Sequence, residues 1–455
     1  MIEDGRMLLV PSCLCVRILD RPSFTIWPAV ASPPPNICAA CTNVEREQYE
    51  TSATGSGFVS TSSPDLSRFD WNEFSSAWDL APGMTYLNHG SFGPSPRSVR
   101  EASQRWTEEL ERNPMEFFVR RQEALLDEAS HALGKFLSCR PENLAFVPNA
   151  TVAMNIVAEN TQLEPGDEVL LNDHEYGAVI RIWGSHCKRV GARTVLARLP
   201  MGEANATDRV DAIFNRVTPR TKMIVISHVT SPTALILPVE EVCRRAKPLG
   251  IPVCIDGPHA IAMLPLPLDQ LGCDFYCASL HKWLAAPFGS GFLYSKPKHR
   301  SGLKPAIISW GRSLSGRASR WVDEFHWTGT SDPAAYLAVP EAIRFLENIG
   351  LDRFRDQCHT LAMYAGKQLT DHCGAIPLAR DHEFGTMLTL ELPSLQRVEQ
   401  QPGTPHPLQL RLATEFGIEI PIVEWQDRLH IRVSCHLYNA PEQIDQLVEV
   451  LCRVI

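Results

Sequence analysis

Apolar positions fall into two alternating periods along most of this chain. Short apolar runs, read as buried strands, occupy residues 144–147, 168–171, 194–198, 223–227, 252–255, 275–278 and 291–294. Between them, apolar residues recur at intervals of three and four, which predicts helices over 151–159, 178–190 and 239–249. Two further helical patterns, 98–111 and 117–136, precede the series. Strands and helices in alternation imply an α/β fold, a mostly parallel sheet with helices on both faces. Beyond about Pro333 the pattern changes to a long helix and a smaller α+β region, with strands over 385–392 and 429–434.

Residues 1–68 show neither period. Pro33-Pro34-Pro35 and a Ser/Thr/Gly tract from Thr51 to Ser63 make a disordered or dispensable tail the expectation. Its weak apolar stretch is preceded by Glu3 and Asp4 and broken by Arg17, Asp20 and Arg21, which argues against a secretory signal. The expected division is therefore a tail at 1–68, an N-terminal arm with a large domain at 69–332, and a small C-terminal domain at 333–455.

A chain of 455 residues, 44% apolar and 21% charged, has ordinary globular composition and the length for a large core. Its net charge of −9, with no basic cluster in the tail, disfavours a nucleic-acid surface. No apolar run reaches membrane-spanning length. The fourteen cysteines are scattered, as in a reducing, cytoplasmic setting. Cys38-Ala39-Ala40-Cys41 has no matching second pair, so no metal site is expected.

The chemistry is most visible between Asp256, which ends Val253-Cys254-Ile255-Asp256, and Lys282, in Ser279-Leu280-His281-Lys282-Trp283. An amine that forms a Schiff base and a carboxylate that keeps a pyridine nitrogen protonated are what pyridoxal 5′-phosphate (PLP) requires. Taken singly, such residues are ordinarily a solvated charge and a strand cap. Together at strand ends, where open α/β sheets bind ligands, they point to a cofactor pocket. Pro148-Asn149-Ala150-Thr151 joins a strand to a helix, and a helix N-terminus suits a phosphate. Ser279 and His281 add donors beside the lysine, and Thr330, in Trp327-Thr328-Gly329-Thr330, is another candidate. Within Asp173-His174-Glu175-Tyr176, Tyr176 is the first choice for a ring stacked on the pyridine and His174 the alternative. Ser231 and His259 are candidates for the ring hydroxyl. Arg432 alternates with apolar neighbours on a strand and suits a substrate carboxylate.

These segments, with Tyr86-Leu87-Asn88-His89-Gly90-Ser91-Phe92-Gly93, resemble the class V aminotransferase-fold enzymes, nearest the isopenicillin-N-epimerase-like subgroup. The resemblance runs from about Phe69 to Ile455. It implies a PLP-dependent transferase fold of type I, with a seven-stranded large domain, a smaller C-terminal α+β domain, and a homodimer with active sites at the interface. It implies Lys282 as the Schiff-base lysine, Asp256 as the pyridinium partner, and His259 and Ser231 near the ring hydroxyl. Ala150, Thr151, Ser279 and His281 match phosphate ligands, and Thr330 matches a threonine that reaches the neighbouring subunit's phosphate. Arg432 matches the carboxylate-binding arginine, with Asn88 and His89 beside the substrate. The stacking position is occupied by His in related subgroups, where this chain offers Glu175 or Tyr176.

Related cysteine desulfurases carry a nucleophilic Cys in the loop before the arginine strand. Here that stretch reads Phe416-Gly417-Ile418-Glu419-Ile420-Pro421-Ile422, which disfavours persulfide chemistry. The resemblance implies an amino-acid substrate bound as an external aldimine, with Lys282 taking the Cα proton. Epimerisation is the leading expectation, with a C–S lyase or an aminotransferase as alternatives. No residue of the sequence stands out as the second proton donor that an epimerase needs.

Overall fold

The computed structural model describes residues 64–395, 397 and 404–455. The tail before Pro64 and the Cys38–Cys41 pair lie outside the described residues. The described fold starts with a short turn at Leu66–Arg68, a few residues ahead of the expected Phe69, and Arg68 pairs with Asp356.

Strand β1 (Thr85–Tyr86) is followed by β2 (Leu144–Val147), β3 (Glu168–Asn172), β4 (Arg193–Ala197), β5 (Thr221–Ser227), β6 (Val253–Asp256), β7 (Phe275–Ser279) and β8 (Gly291–Ser295). The last seven form one sheet in the order β2-β8-β7-β6-β5-β3-β4. Neighbours from β4 to β7 run parallel, whereas β8 is antiparallel to both β2 and β7. The cause is the connection: β7 returns to β8 through residues 280–290 without a crossover helix, and only antiparallel neighbours accept so short a link.

Alternate side chains of each strand feed two cores. Phe146, Leu170, Ile224, Ile226 and Ile255 pack on one side with Leu133 and Val242. Ala145, Val147, Val169, Leu171, Val225 and Cys254 pack on the other with Met154, Ile156 and Trp183. Helices Gln122–Phe136 and Val239–Ala246 therefore cover one face, and Ala150–Asn160 and Gly177–Val190 the other. Both faces being buried explains why these strands read as continuous apolar runs. The fold is α/β, with a mostly parallel seven-stranded sheet.

The C-terminal region adds β9 (Ile376–Pro377), β10 (Met387–Glu391), β11 (Ile418–Glu419), β12 (Ile422–Trp425) and β13 (Arg428–Ser434). Four of these make an antiparallel sheet in the order β12-β13-β10-β9, while β11 pairs in parallel with β1. The long helix expected beyond Pro333 is two helices, Val339–Ile349 and Leu351–Cys373, broken at Gly350, whose φ of +93° a side chain would resist. Helices Ala206–Phe214, Pro407–Phe416 and Pro441–Val454 were not anticipated. Among the described residues no helix is long and apolar enough to cross a membrane.

Candidate active site

Parallel strands end together, so their last residues crowd one edge of the sheet. Ser227 pairs in register with Asp256, and Asp256 with Cys277. A cavity of about 330 Å³ opens at this edge, with Asp256, His259, Lys282, Tyr176, Ser231 and Arg432 in its walls. Gly257 makes the edge possible, because a Cβ there would overlap the Tyr276 ring.

Lys282 sits in the loop after β7. Its carbonyl accepts from the Ala285 amide at 2.7 Å and faces His89 Nε2 at 2.9 Å. Ala285 is left-handed, with φ of +53°, at a cost of about 1 kcal/mol, so the turn that aims the lysine is held under strain. Lys282 Nζ lies 2.8 Å from His259 Nε2, and Trp283 Nε1 donates to His259 Nδ1 at 3.4 Å. An indole N–H only donates, so Nδ1 is the bare nitrogen and Nε2 carries the proton. The amine facing that N–H is then neutral. Burial, reinforced by the Arg432 charge, acts the same way and depresses Lys282 to about 7, although Asp256 opposes it. Burial also keeps His259 neutral.

Asp256 is buried at the cavity floor. Burial pushes its carboxyl up to about 6, with Lys282 pulling the other way, so it is ionised above that pH. Behind it lies Glu175, which accepts from the Ser227 amide at 2.9 Å, from Ser227 Oγ at 2.6 Å and from Asn172 Nδ2. Burial outweighs those hydrogen bonds and raises Glu175 to about 8.

At one end of the cavity, helix Ala150–Asn160 presents its N-terminus. Asn149 caps it by accepting from the Val152 amide at 3.0 Å, and Ser279 Oγ accepts from the Ala150 amide at 2.9 Å. Thr151 and His281 share this wall. His281 Nδ1 is buried with no hydrogen-bond partner, and burial lowers its imidazole to about 4. A helix N-terminus with hydroxyls and an orphaned ring nitrogen fits a phosphate.

Another part of the wall is set by Arg432 from β13, only 4% exposed. Its Nη1 donates to the Ser231 carbonyl at 2.7 Å and to Ser231 Oγ at 3.2 Å, and its Nη2 to Ser91 Oγ at 2.6 Å. Its Nε has no partner. No carboxylate of the described residues forms an ion pair with it, and burial lowers it only to about 10, so a charged guanidinium faces the cavity unneutralised.

The sequence candidates therefore separate into groups. Lys282, Asp256, His259, Ala150, Thr151, Ser279, His281, Tyr176, Ser231 and Arg432 line the one cavity. Ser231 is turned to Arg432 rather than standing free for a ring hydroxyl. Asn88 and His89 do not line it; the Asn88 main chain bridges to Ser434, and His89 braces Lys282 with its other nitrogen on the Tyr438 hydroxyl at 2.9 Å. The Asn88 side-chain oxygen is buried with no hydrogen-bond partner among the described residues, and His89 supports the lysine loop. His174 is fully buried, with Nδ1 2.8 Å from Thr233 Oγ1 and its ring against Trp425, and it too lies off the cavity. Thr330 is exposed on a loop away from it. The apolar wall of Met154, Val179, Ile182 and Val229 was missed, and Ser91 stood in a quoted motif without being given a role. Cys435 is buried and outside the lining, and the loop before β12 carries no thiol.

A family model described as "Aminotransferase class-V" matches residues 86–447. The isopenicillin N epimerase of Streptomyces clavuligerus is 34% identical over 84% of this chain and 98% of its own length. A putative L-cysteine desulfhydrase 1 of Oryza sativa subsp. japonica is 27% identical over 82% of this chain and 83% of its own. Among solved structures, a C-DES mutant with glycine covalently linked to its PLP cofactor matches with a TM-score of 0.70 at 23% identity. The match covers 82% of this chain and 97% of that one.

Proposed function

The chain belongs to the class V aminotransferase family, and on that premise we propose that it inverts the Cα of an amino-acid substrate, as isopenicillin N epimerases are named for doing. It is a PLP-dependent enzyme of that family. Arg432 carries the reading: a buried guanidinium with no carboxylate partner among the described residues, in the same cavity as Lys282 and Asp256. Such a charge is costly to bury alone and is satisfied by a carboxylate arriving with the substrate.

When bound, PLP supplies an electron sink for the pair left at Cα. Lys282 is the residue that would hold it, Asp256 the one facing the ring nitrogen, and Ala150, Thr151, Ser279 and His281 the phosphate set. Thr330 is the candidate for a partner subunit's phosphate in a homodimer. Arg432 fixes the substrate carboxylate, which leaves the Cα–H bond near the lysine. The Lys282 amine, depressed to about 7, is substantially neutral at neutral pH and takes the Cα proton as general base.

The desulfhydrase relatives support a second reading, loss of a β-sulfur group from a cysteine derivative. It needs the same base and anchor and no enzyme thiol. Purified protein loaded with PLP separates the readings. The proposal expects visible absorbance that borohydride fixes covalently and that Lys282→Ala loses. It also expects change of configuration in isopenicillin N. Sulfide released from cysteine, with no inversion of any probe, would establish the second reading instead. A protein that takes up no PLP would overturn both.

A further inference from the structure

This inference rests on the epimerase reading. Inversion requires a proton taken from one side of Cα and returned to the other. Lys282 serves one side. Among the cavity's ionisable side chains, His259 faces the Lys282 amine at 2.8 Å and so stands on the lysine side, and His281 belongs with Thr151 and Ser279 to the phosphate set. Asp256 closes the floor. Arg432 stays cationic and is held by Ser91 and Ser231.

Tyr176 remains. It follows β3, whereas Lys282 follows β7, and β6 and β5 lie between them in the sheet. Strand order therefore puts the segments that carry the amine and the phenol on opposite flanks of one cavity, with Asp256 between. Tyr176 is 51% exposed, and among the described residues nothing hydrogen-bonds its hydroxyl. Arg432 lies within electrostatic reach of it, so the phenol stands beside the group that would hold the substrate carboxylate.

We propose that Tyr176 is the second proton carrier, acting on the side of Cα opposite Lys282. In one direction the Lys282 amine accepts the Cα proton and becomes an ammonium. The Tyr176 O–H bond breaks as its proton passes to Cα, leaving a phenolate. In the other direction the two exchange roles. No oxidant is needed, and a proton moving from ammonium to phenolate through water restores the starting state.

Tyr176→Phe tests this while keeping an aromatic face. Wild type and variant, both loaded with PLP, are followed in deuterium oxide with isopenicillin N and the standard chiral L-amino acids as probes. Chiral chromatography reads inversion, and NMR reads Cα deuterium. The variant should exchange the Cα hydrogen with retained configuration at close to the wild-type rate. Its inversion should fall about a hundredfold or more, the usual scale for losing a proton-transfer group. Its visible absorbance and PLP dissociation should match wild type, since a residue that only stacks is replaced by Phe without loss. Inversion within a few-fold of wild type would overturn the proposal. So would exchange and inversion falling together with weaker PLP retention, which is the mark of a hydroxyl that holds the cofactor rather than one that carries a proton. A wild type that exchanges but inverts no probe overturns the epimerase reading itself, and this inference with it.

Discussion

At the scale of the residue, the cavity is governed by two cations placed close together in a medium that disfavours both. Lys282 yields its proton and Arg432 keeps its own, because a guanidinium is far the stronger base. Arg432→Lys keeps a charge but loses the fork that spans Ser91, Ser231 and an incoming carboxylate. Losing a buried charge-assisted contact of roughly 2–4 kcal/mol should lower kcat/KM by about 30- to 1000-fold, mostly through KM. Steady-state kinetics with the best substrate reads it, and an unchanged KM would remove Arg432 from the substrate. The lysine has its own signature in pH. Only the neutral amine attacks the PLP aldehyde, and Lys282 is protonated below about 7. The rate at which visible absorbance grows after mixing apoprotein with PLP should therefore rise with pH and level off just above 7. A rate still climbing at pH 10 would mean an ordinary, solvated lysine.

At the scale of the element, the site depends on strand ends being held in register. Gly257 follows β6 and lets the Asp256 turn pass the Tyr276 ring. Gly257→Ala forces that ring or the turn to move, and overpacking of this kind costs about 1–3 kcal/mol. PLP affinity should fall more than the melting temperature, because the displaced carboxylate is the cofactor's partner. Equal retention of PLP by the variant would show that the floor can shift freely. A second device joins two helices of the C-terminal region. The Cys373 and Cys452 thiols stand 3.2 Å apart, one ending helix Leu351–Cys373 and the other on helix Pro441–Val454. Mild oxidation should join them and close a loop of about 80 residues, raising the melting temperature by a few degrees. Cys452→Ser should abolish the rise, and a rise that survives the substitution belongs to other cysteines. The missed helix Pro441–Val454 was within reach of a closer reading. Pro441 stands at its first turn, and Ile444, Leu447, Val448 and Leu451 recur at helical spacing.

At the scale of the whole molecule, the described chain leaves Phe92, Phe288, Ile307, Ile308 and Trp310 exposed, with Thr330 exposed on a loop off its own cavity. A homodimer that covers apolar surface and delivers Thr330 to its neighbour is the expected outcome. Sedimentation should give about twice the 50.8 kDa chain mass. Mixing Lys282→Ala with Thr330→Ala protein should yield hybrids in which one site carries both defects and the other neither, restoring PLP retention to that second site. No recovery in the mixture would confine Thr330 to its own subunit. By itself, the sequence determined what depends on neighbours along the chain: the seven strand cores, most helices, the Asp256 and Lys282 strand-end motifs, and the missing loop thiol. These follow from periodicity and residue type, which are local. Only the tertiary structure decided which side chains share a space. It turned Ser231 and Ser91 to Arg432, set His89 behind the lysine, buried His174 and Glu175, and left Tyr176 facing the cavity. A one-residue step reverses the direction of a side chain in extended backbone, and contacts between residues some 200 positions apart, as in Arg432 to Ser231, arise only when separate elements pack.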